Sequence, residues 1–149
     1  VITDYQLWFN TYGTAQAETT VDTHNSDNVY DMTIVDKNIL KAGYLVFQIE
    51  TAIVSAGGGT LDVQLVCSAA AALTTPTILW SSGVVANATI VAWTANSTVY
   101  TVKIPANIPL RYIGMNYVIG TAVFTAGAWR CFITPQPPYH IAADPTATS

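Results

Sequence analysis

The sequence predicts an all-β domain, a sandwich or barrel of about eight short antiparallel strands with extended terminal arms. Three observations predict it. Apolar and polar residues alternate with a period of two over many short stretches, the spacing that turns one face of a strand toward a core. Gly, Pro, Asn and Ser separate those stretches as turn formers. No long segment carries apolar residues at helical spacing, so no major helix is expected.

In chain order, residues 1–27 read as an N-terminal arm. Tyr5, Trp8, Phe9 and Tyr12 come first, and a polar run from Thr14 to Asp27 follows. Residues 28–134 read as the sandwich. Asn28–Thr33 is a short strand candidate. In Leu45–Glu50, Leu45, Phe47 and Ile49 share one face while Gln48 and Glu50 take the other. Gly57-Gly58-Gly59 then supplies the positive φ of a hairpin or loop. Leu61, Val63 and Leu65 alternate with Asp62 and Gln64. Glu50 and Asp62 are expected to face outward from neighbouring strands. Thr77–Ser81 and Ala88–Thr94 are further short candidates. Tyr100, Val102 and Ile104 form the next apolar face, and Pro105 and Pro109 bracket the loop after it, since neither can donate to a ladder. Ile113–Ile119 is apolar on nearly both faces. It is either a central strand covered on both sides or a strand with one face against a second subunit. Trp129, Cys131 and Ile133 close the series. Residues 135–149 form a C-terminal tail in which Pro135, Pro137 and Pro138 favour an extended polyproline course.

Composition narrows the function classes. Of 149 residues, 51% are hydrophobic and only 9% are charged, and the net charge is −4. Residues 1–62 hold Asp4, Glu18, Asp22, Asp27, Asp31, Asp36, Glu50 and Asp62 against two lysines, or 2 − 8 = −6. Residues 63–149 hold three cations against Asp144, or 3 − 1 = +2. High hydropathy with low charge is the reverse of a disordered composition. Polar residues interrupt every apolar stretch, which excludes a helical membrane span. An acidic chain with five scattered cations is a poor nucleic-acid binder. The start, Val1-Ile2-Thr3-Asp4, lacks the basic and apolar regions of a secretory leader. A surface made mainly of Thr, Ser, Asn and Gln suits a protein whose surface is covered by other protein.

Motifs that carry chemistry are scarce. Cys67 and Cys131 each belong to an apolar alternating series and are expected as buried reduced thiols. Asp22, His24, Asp27 and Asp31 are ligand-like in type, but they lack the central Gly of a calcium loop and a thiol for zinc. Gly57-Gly58-Gly59-Thr60 has no Lys of a phosphate loop. No nucleophile elbow occurs, and His24 and His140 lie far apart in the chain. Catalytic residues, metals and cofactors are therefore not expected. A different class remains open: Trp80, Trp93, Tyr112 and Tyr117 on a β scaffold with little charge could stack sugar rings, as in a carbohydrate-binding module.

Several segments in fixed order resemble the small capsid cement (decoration) proteins of short-tailed bacteriophages. They are Ile2–Leu7, Ser26–Asp31, Gly43–Val46, Gly59–Leu65, Leu73–Thr77, Ile104-Pro105, Leu110–Gly114 and Thr125–Gly127. The proline-rich tail after Thr134 departs from the family pattern. The resemblance implies a jelly-roll-like sandwich that binds the outside of an assembled icosahedral shell after synthesis in the host cytoplasm. It implies a clamp on neighbouring major capsid subunits, often as a symmetric homo-oligomer, with no catalytic residue, nucleic acid or membrane involved. Beside it, the residue pattern marks Tyr5, Leu7, Trp8, Phe9, Tyr12, Ile113, Met115, Tyr117, Pro138 and Tyr139 as interface candidates. The competing reading makes the first segment a strand, with Leu7 and Phe9 turned to the core.

Overall fold

The computed structural model describes residues 7–11, 14–33, 43–105 and 107–134. Among them the chain forms strands β1 (Leu7–Trp8), β2 (Asp22–Asn25), β3 (Tyr30–Asp31), β4 (Tyr44–Val54), β5 (Thr60–Ser68) and β6 (Thr77–Ser81). One short helix, α1 (Asn87–Ile90), then precedes β7 (Ser97–Lys103), β8 (Tyr112–Gly120) and β9 (Ala126–Thr134). All pairings are antiparallel, in two sheets ordered β1-β9-β4-β7 and β2-β8-β5-β6, with β3 also paired to β8. The chain changes sheet between β1 and β2, β3 and β4, β4 and β5, β6 and β7, β7 and β8, and β8 and β9. That order is the jelly roll, two sheets wound by Greek-key connections.

Period-two alternation builds the core. Leu45, Phe47 and Ile49 of β4 face Leu61, Val63 and Leu65 of β5, with Ile113, Met115, Tyr117 and Ile119 of β8 and Trp129, Cys131 and Ile133 of β9 completing the layer. Phe47 sits at its centre, with the rings of Trp93, Tyr100, Tyr117 and Trp129 between 6.1 and 6.3 Å away. Cys67 and Cys131 are free and buried. Burial pushes the Cys131 thiol far up, so it stays protonated.

The structure corrects three local expectations and decides between the two readings of a fourth segment. The described part of residues 1–27 is not set apart from the sandwich, because β1 and β2 are members of its two sheets. Ala88–Thr94 is not a strand. The backbone N–H groups of Ile90 and Val91 bond to Ala86 and Asn87; Ile90 is the one fully buried residue of the segment, and Trp93 packs half-buried against the core. Glu50 and Asp62 do not lie on neighbouring strands, since β4 and β5 belong to opposite sheets. Asp62 is close to buried and accepts bonds from Gln64 Nε2 at 2.8 Å and Ser81 Oγ at 2.7 Å. Lastly, β8 is a central strand covered on both sides within one chain. Its outer face carries Gly114, where an added Cβ would lie 2.7 Å from Leu73 Cδ1, so the loop holding Leu73 is folded down onto it. Among the described residues, no helix is long and apolar enough to cross a membrane.

Candidate docking surfaces

One end of the sandwich is made by two sheet-to-sheet turns, residues 55–59 and 121–125, with residues 18–21 beside them. The two turns contain no charged residue. Their backbone is fixed by cross-links. Ser55 Oγ donates to the Val123 carbonyl at 2.8 Å and accepts from Gly59 N–H at 2.9 Å. Thr125 N–H donates to the Val54 carbonyl at 2.8 Å, and Phe124 N–H to that of Thr19 at 2.9 Å. The triple glycine follows from this crowding. Gly58 has φ of +79°, and a Cβ on Gly59 would meet the Ala122 carbonyl oxygen at 2.5 Å and Phe124 Cε1 at 2.9 Å. Phe124 is buried beneath the turns, while Val21, Val54 and Val123 stay 49, 50 and 51% exposed. Three half-exposed valines beside a backbone held this firmly form a preorganised contact surface at two charge-free turns, with Glu18 and Asp22 at its margin. Alternation alone did not reveal it, because its valines come from three segments distant in sequence.

The N-terminal candidates are stapled into the fold. Leu7 pairs with Ile133 and Trp8 with Phe132. Phe9 is fully buried; its N–H donates to Cys131 O at 2.8 Å, and its carbonyl accepts from Asn28 N–H at 2.9 Å. Asn10 Oδ1 accepts from Cys131 N–H at 3.0 Å, and the Tyr30 hydroxyl donates to the Trp8 carbonyl at 2.6 Å. Phe9 is therefore a core residue rather than an interface residue, and Leu7 packs against the same core. Ile113, Met115 and Tyr117 are likewise fully buried between the sheets, where no second subunit can touch them. Trp8 lies outward and half-buried, its ring centroid 4.7 Å from that of Phe132. Tyr5, Tyr12, Pro138 and Tyr139 lie outside the described residues.

The polar cluster of the sequence is divided by the fold. His24 Nδ1 is 3.1 Å from Glu18 Oε2, and its Nε2 is 2.8 Å from the Thr20 carbonyl. Asp27 Oδ2 accepts from Thr11 N–H at 3.2 Å. Asp31 binds Arg111 through two bonds, from Nε at 3.0 Å and Nη2 at 2.7 Å. These bonds, with a further one from Thr33 N–H, hold the Asp31 carboxyl well below the usual carboxylate range. Among the described residues, no group of three or more His, Cys, Asp or Glu side chains could hold a metal ion. The four aromatics considered for sugar stacking are engaged. Trp80 and Trp93 stand edge-on to Tyr100 with centroids at 5.4 and 5.9 Å, Tyr117 is buried, and the Arg111 guanidinium lies 5.1 Å over Tyr112.

With this geometry in view, the family comparison is direct. The family model named Bbp16 matches residues 12–133. The chain belongs to the Bbp16 family. The match takes in β2 to β8 whole and all but the last residue of β9, together with both turns of the valine-bearing end. β1 and the proline-rich tail lie outside the matched stretch of this Bbp16 member. No curated protein matches the chain.

Proposed function

We propose that this Bbp16-family chain is a capsid cement protein, which binds the outer surface of an assembled icosahedral phage shell and clamps neighbouring major capsid subunits. The observation that carries the reading is the valine-bearing end of the jelly roll, where Val21, Val54 and Val123 stand half-exposed at two charge-free turns tied by cross-loop hydrogen bonds. Membership of a family whose name suggests a phage protein supports it. So does a surface poor in charge, suited to burial against other protein. The mechanism is linkage: a protein that binds only the mature shell stabilises that shell by mass action. Many copies, each bridging subunits, add small contacts into a large resistance to internal pressure. A symmetric homo-oligomer, most simply a dimer, belongs to the same reading, although its interface must lie elsewhere than on Ile113, Met115 and Tyr117.

The test mixes purified chain with shells that lack it, pellets them and images the decorated particles. Saturable binding at a defined symmetry position is expected. Val54→Asp combined with Val123→Asp should keep the melting temperature of the parent and lose shell binding. Full binding by that double variant would remove the valine end from the interface. Glycan binding without shell affinity would replace the cement reading with the carbohydrate one.

A further inference from the structure

The outer face of the sheet β2-β8-β5-β6 carries a polar row across its middle. Met115 and Tyr117 turn into the core, so Asn116 between them points outward. Asn25 of β2 lies opposite Asn116 on one side and Gln64 of β5 on the other, and Ser81 of β6 lies opposite Gln64. The row Asn25, Asn116, Gln64, Ser81 thus crosses four strands, about 14 Å at ~4.8 Å per neighbour. On the adjacent outward row, Asp62 stands opposite Val118. Exposure falls from both ends of the polar row toward its centre. Asn25 and Ser81 are exposed, Gln64 is half-buried, and Asn116 is only 4% exposed. The row is a shallow groove with Asn116 as its floor. On one side Asn25 Nδ2 donates to the Ala72 carbonyl at 2.9 Å, which sets the loop holding Leu73 alongside. On the other, the Asp62 carboxylate accepts from both Gln64 Nε2 and Ser81 Oγ and fixes that wall.

The floor of the groove is incomplete. Asn116 Oδ1 is buried and has no hydrogen-bond partner. An unpaired buried acceptor is a cost to the fold, and a leucine of nearly the same shape would remove it. The partner of this amide is therefore to be sought outside the chain. We infer that the groove binds the hydroxyl groups of a neutral saccharide, with Asn116 at the centre of the site. The carboxamides of Asn25, Asn116 and Gln64 and the hydroxyl of Ser81 each donate and accept, while the Asp62 carboxylate accepts only. A sugar hydroxyl, donor and acceptor at once, matches that mixture. An anionic ligand does not, because it would face Asp62 with no cation in the groove to offset the repulsion. Val118, half-buried beside Asp62, gives the C–H face of a sugar ring an apolar seat. Gln64 is the movable wall: it is half-exposed, and turning it aside admits a hydroxyl to Asn116. Recognition here rests on amides rather than on Trp80, Trp93, Tyr112 and Tyr117, which are engaged elsewhere. The groove shares no residue with the valine-bearing end, so the two surfaces are tested separately.

The experiment screens the full chain on an array of neutral oligosaccharides and their sialylated counterparts, then titrates the best neutral ligand by calorimetry. Saturable binding of a neutral saccharide is expected. Asn116→Leu should weaken it by about tenfold or more, as should Gln64→Ala combined with Ser81→Ala. Asn116→Leu should also keep or raise Tm, since it removes an unpaired buried acceptor. A lower Tm for that variant would show that the amide is satisfied within the fold, and would overturn the inference. Absence of binding by every neutral saccharide at about 10 mM would overturn it too, as would affinity that survives the substitutions or binding of the sialylated set alone. Val54→Asp with Val123→Asp should leave saccharide binding intact. Shell binding without any saccharide binding would remove this inference and leave the cement reading standing.

Discussion

Truncating Phe9 separates a strand from an adhesive arm. Phe9 is fully buried, its ring stands edge-on to Tyr30 at a centroid distance of 5.6 Å, and its backbone is bonded on both sides. Phe9→Ala removes a whole aromatic ring from the core without touching those backbone bonds. Transfer of the lost surface to water accounts for roughly 1.5–3 kcal/mol. The hole left beside Tyr30 and Leu7 adds a cavity contribution, which brings the total to about 3–4 kcal/mol, within the range for buried Phe→Ala changes. For a chain of this length each kcal/mol lowers Tm by about 2–4 °C, so a fall of roughly 6–16 °C is expected. Urea unfolding followed by circular dichroism measures it, with the midpoint falling and the slope unchanged. A loss below about 1 kcal/mol, well under the buried-Phe range, would show that the ring is not in the core. Such a result accompanied by lost shell binding would restore the arm reading.

Three further outcomes follow from particular contacts. Gly114→Ala forces the Leu73 side chain off the outer face of β8 and should destabilise by about 1–3 kcal/mol; adding Leu73→Ala should recover part of that loss, a coupling read from a double-mutant cycle. Because Arg111 depresses the Asp31 carboxyl below its ordinary value, the unfolded chain takes up that proton first as pH falls. The stabilisation is thus complete above roughly pH 4 and drains away below it, so Tm of Asp31→Asn should decline less steeply than that of the parent between roughly pH 4 and 2; the difference is small because the pair is exposed. Cys131, buried and held as the thiol, should resist a disulfide reagent in the folded chain and react at once in denaturant; rapid reaction of the native chain would place it at the surface.

The long strands were legible because their alternation is a direct image of burial. Leu45, Phe47 and Ile49, or Trp129, Cys131 and Ile133, declare a face without help from the rest of the chain. The short strands were not. Asp22–Asn25 is polar throughout and three of its four residues are exposed; it becomes β2 only because β8 offers it a ladder. Leu7–Trp8 is too brief to show a period, and its fate depends on a partner at residues 132–133. Ala88–Thr94 misled because alternation over a few residues also fits a single helical turn that buries one side chain. The candidate docking end was legible only as glycines. Gly57-Gly58-Gly59 announced a turn, whereas the valines beside it gain meaning once three separate segments are brought together.

The pairing of β1 and β4 with β9 makes the last described strand a condition for the first described one. Strand β4, eleven residues long and strongly apolar, lies between β7 and β9, and β5 waits for β8. A ribosome delivers residues in order, so the hydrogen-bonding edges of β4 and β5 stay open while the second half of the sequence is still being made. Few contacts in this topology are local, and closure of long loops must precede the rewards of pairing, which makes folding slow relative to a helical bundle of the same size. The nascent chain therefore passes through a period with its most adhesive strands uncovered, when association with other nascent copies competes with completion of the sheet. High-level synthesis makes that competition sharper. Nascent chains stalled before Ala126 should accordingly remain protease-sensitive, and protection should arrive in one step once β9 has cleared the exit tunnel.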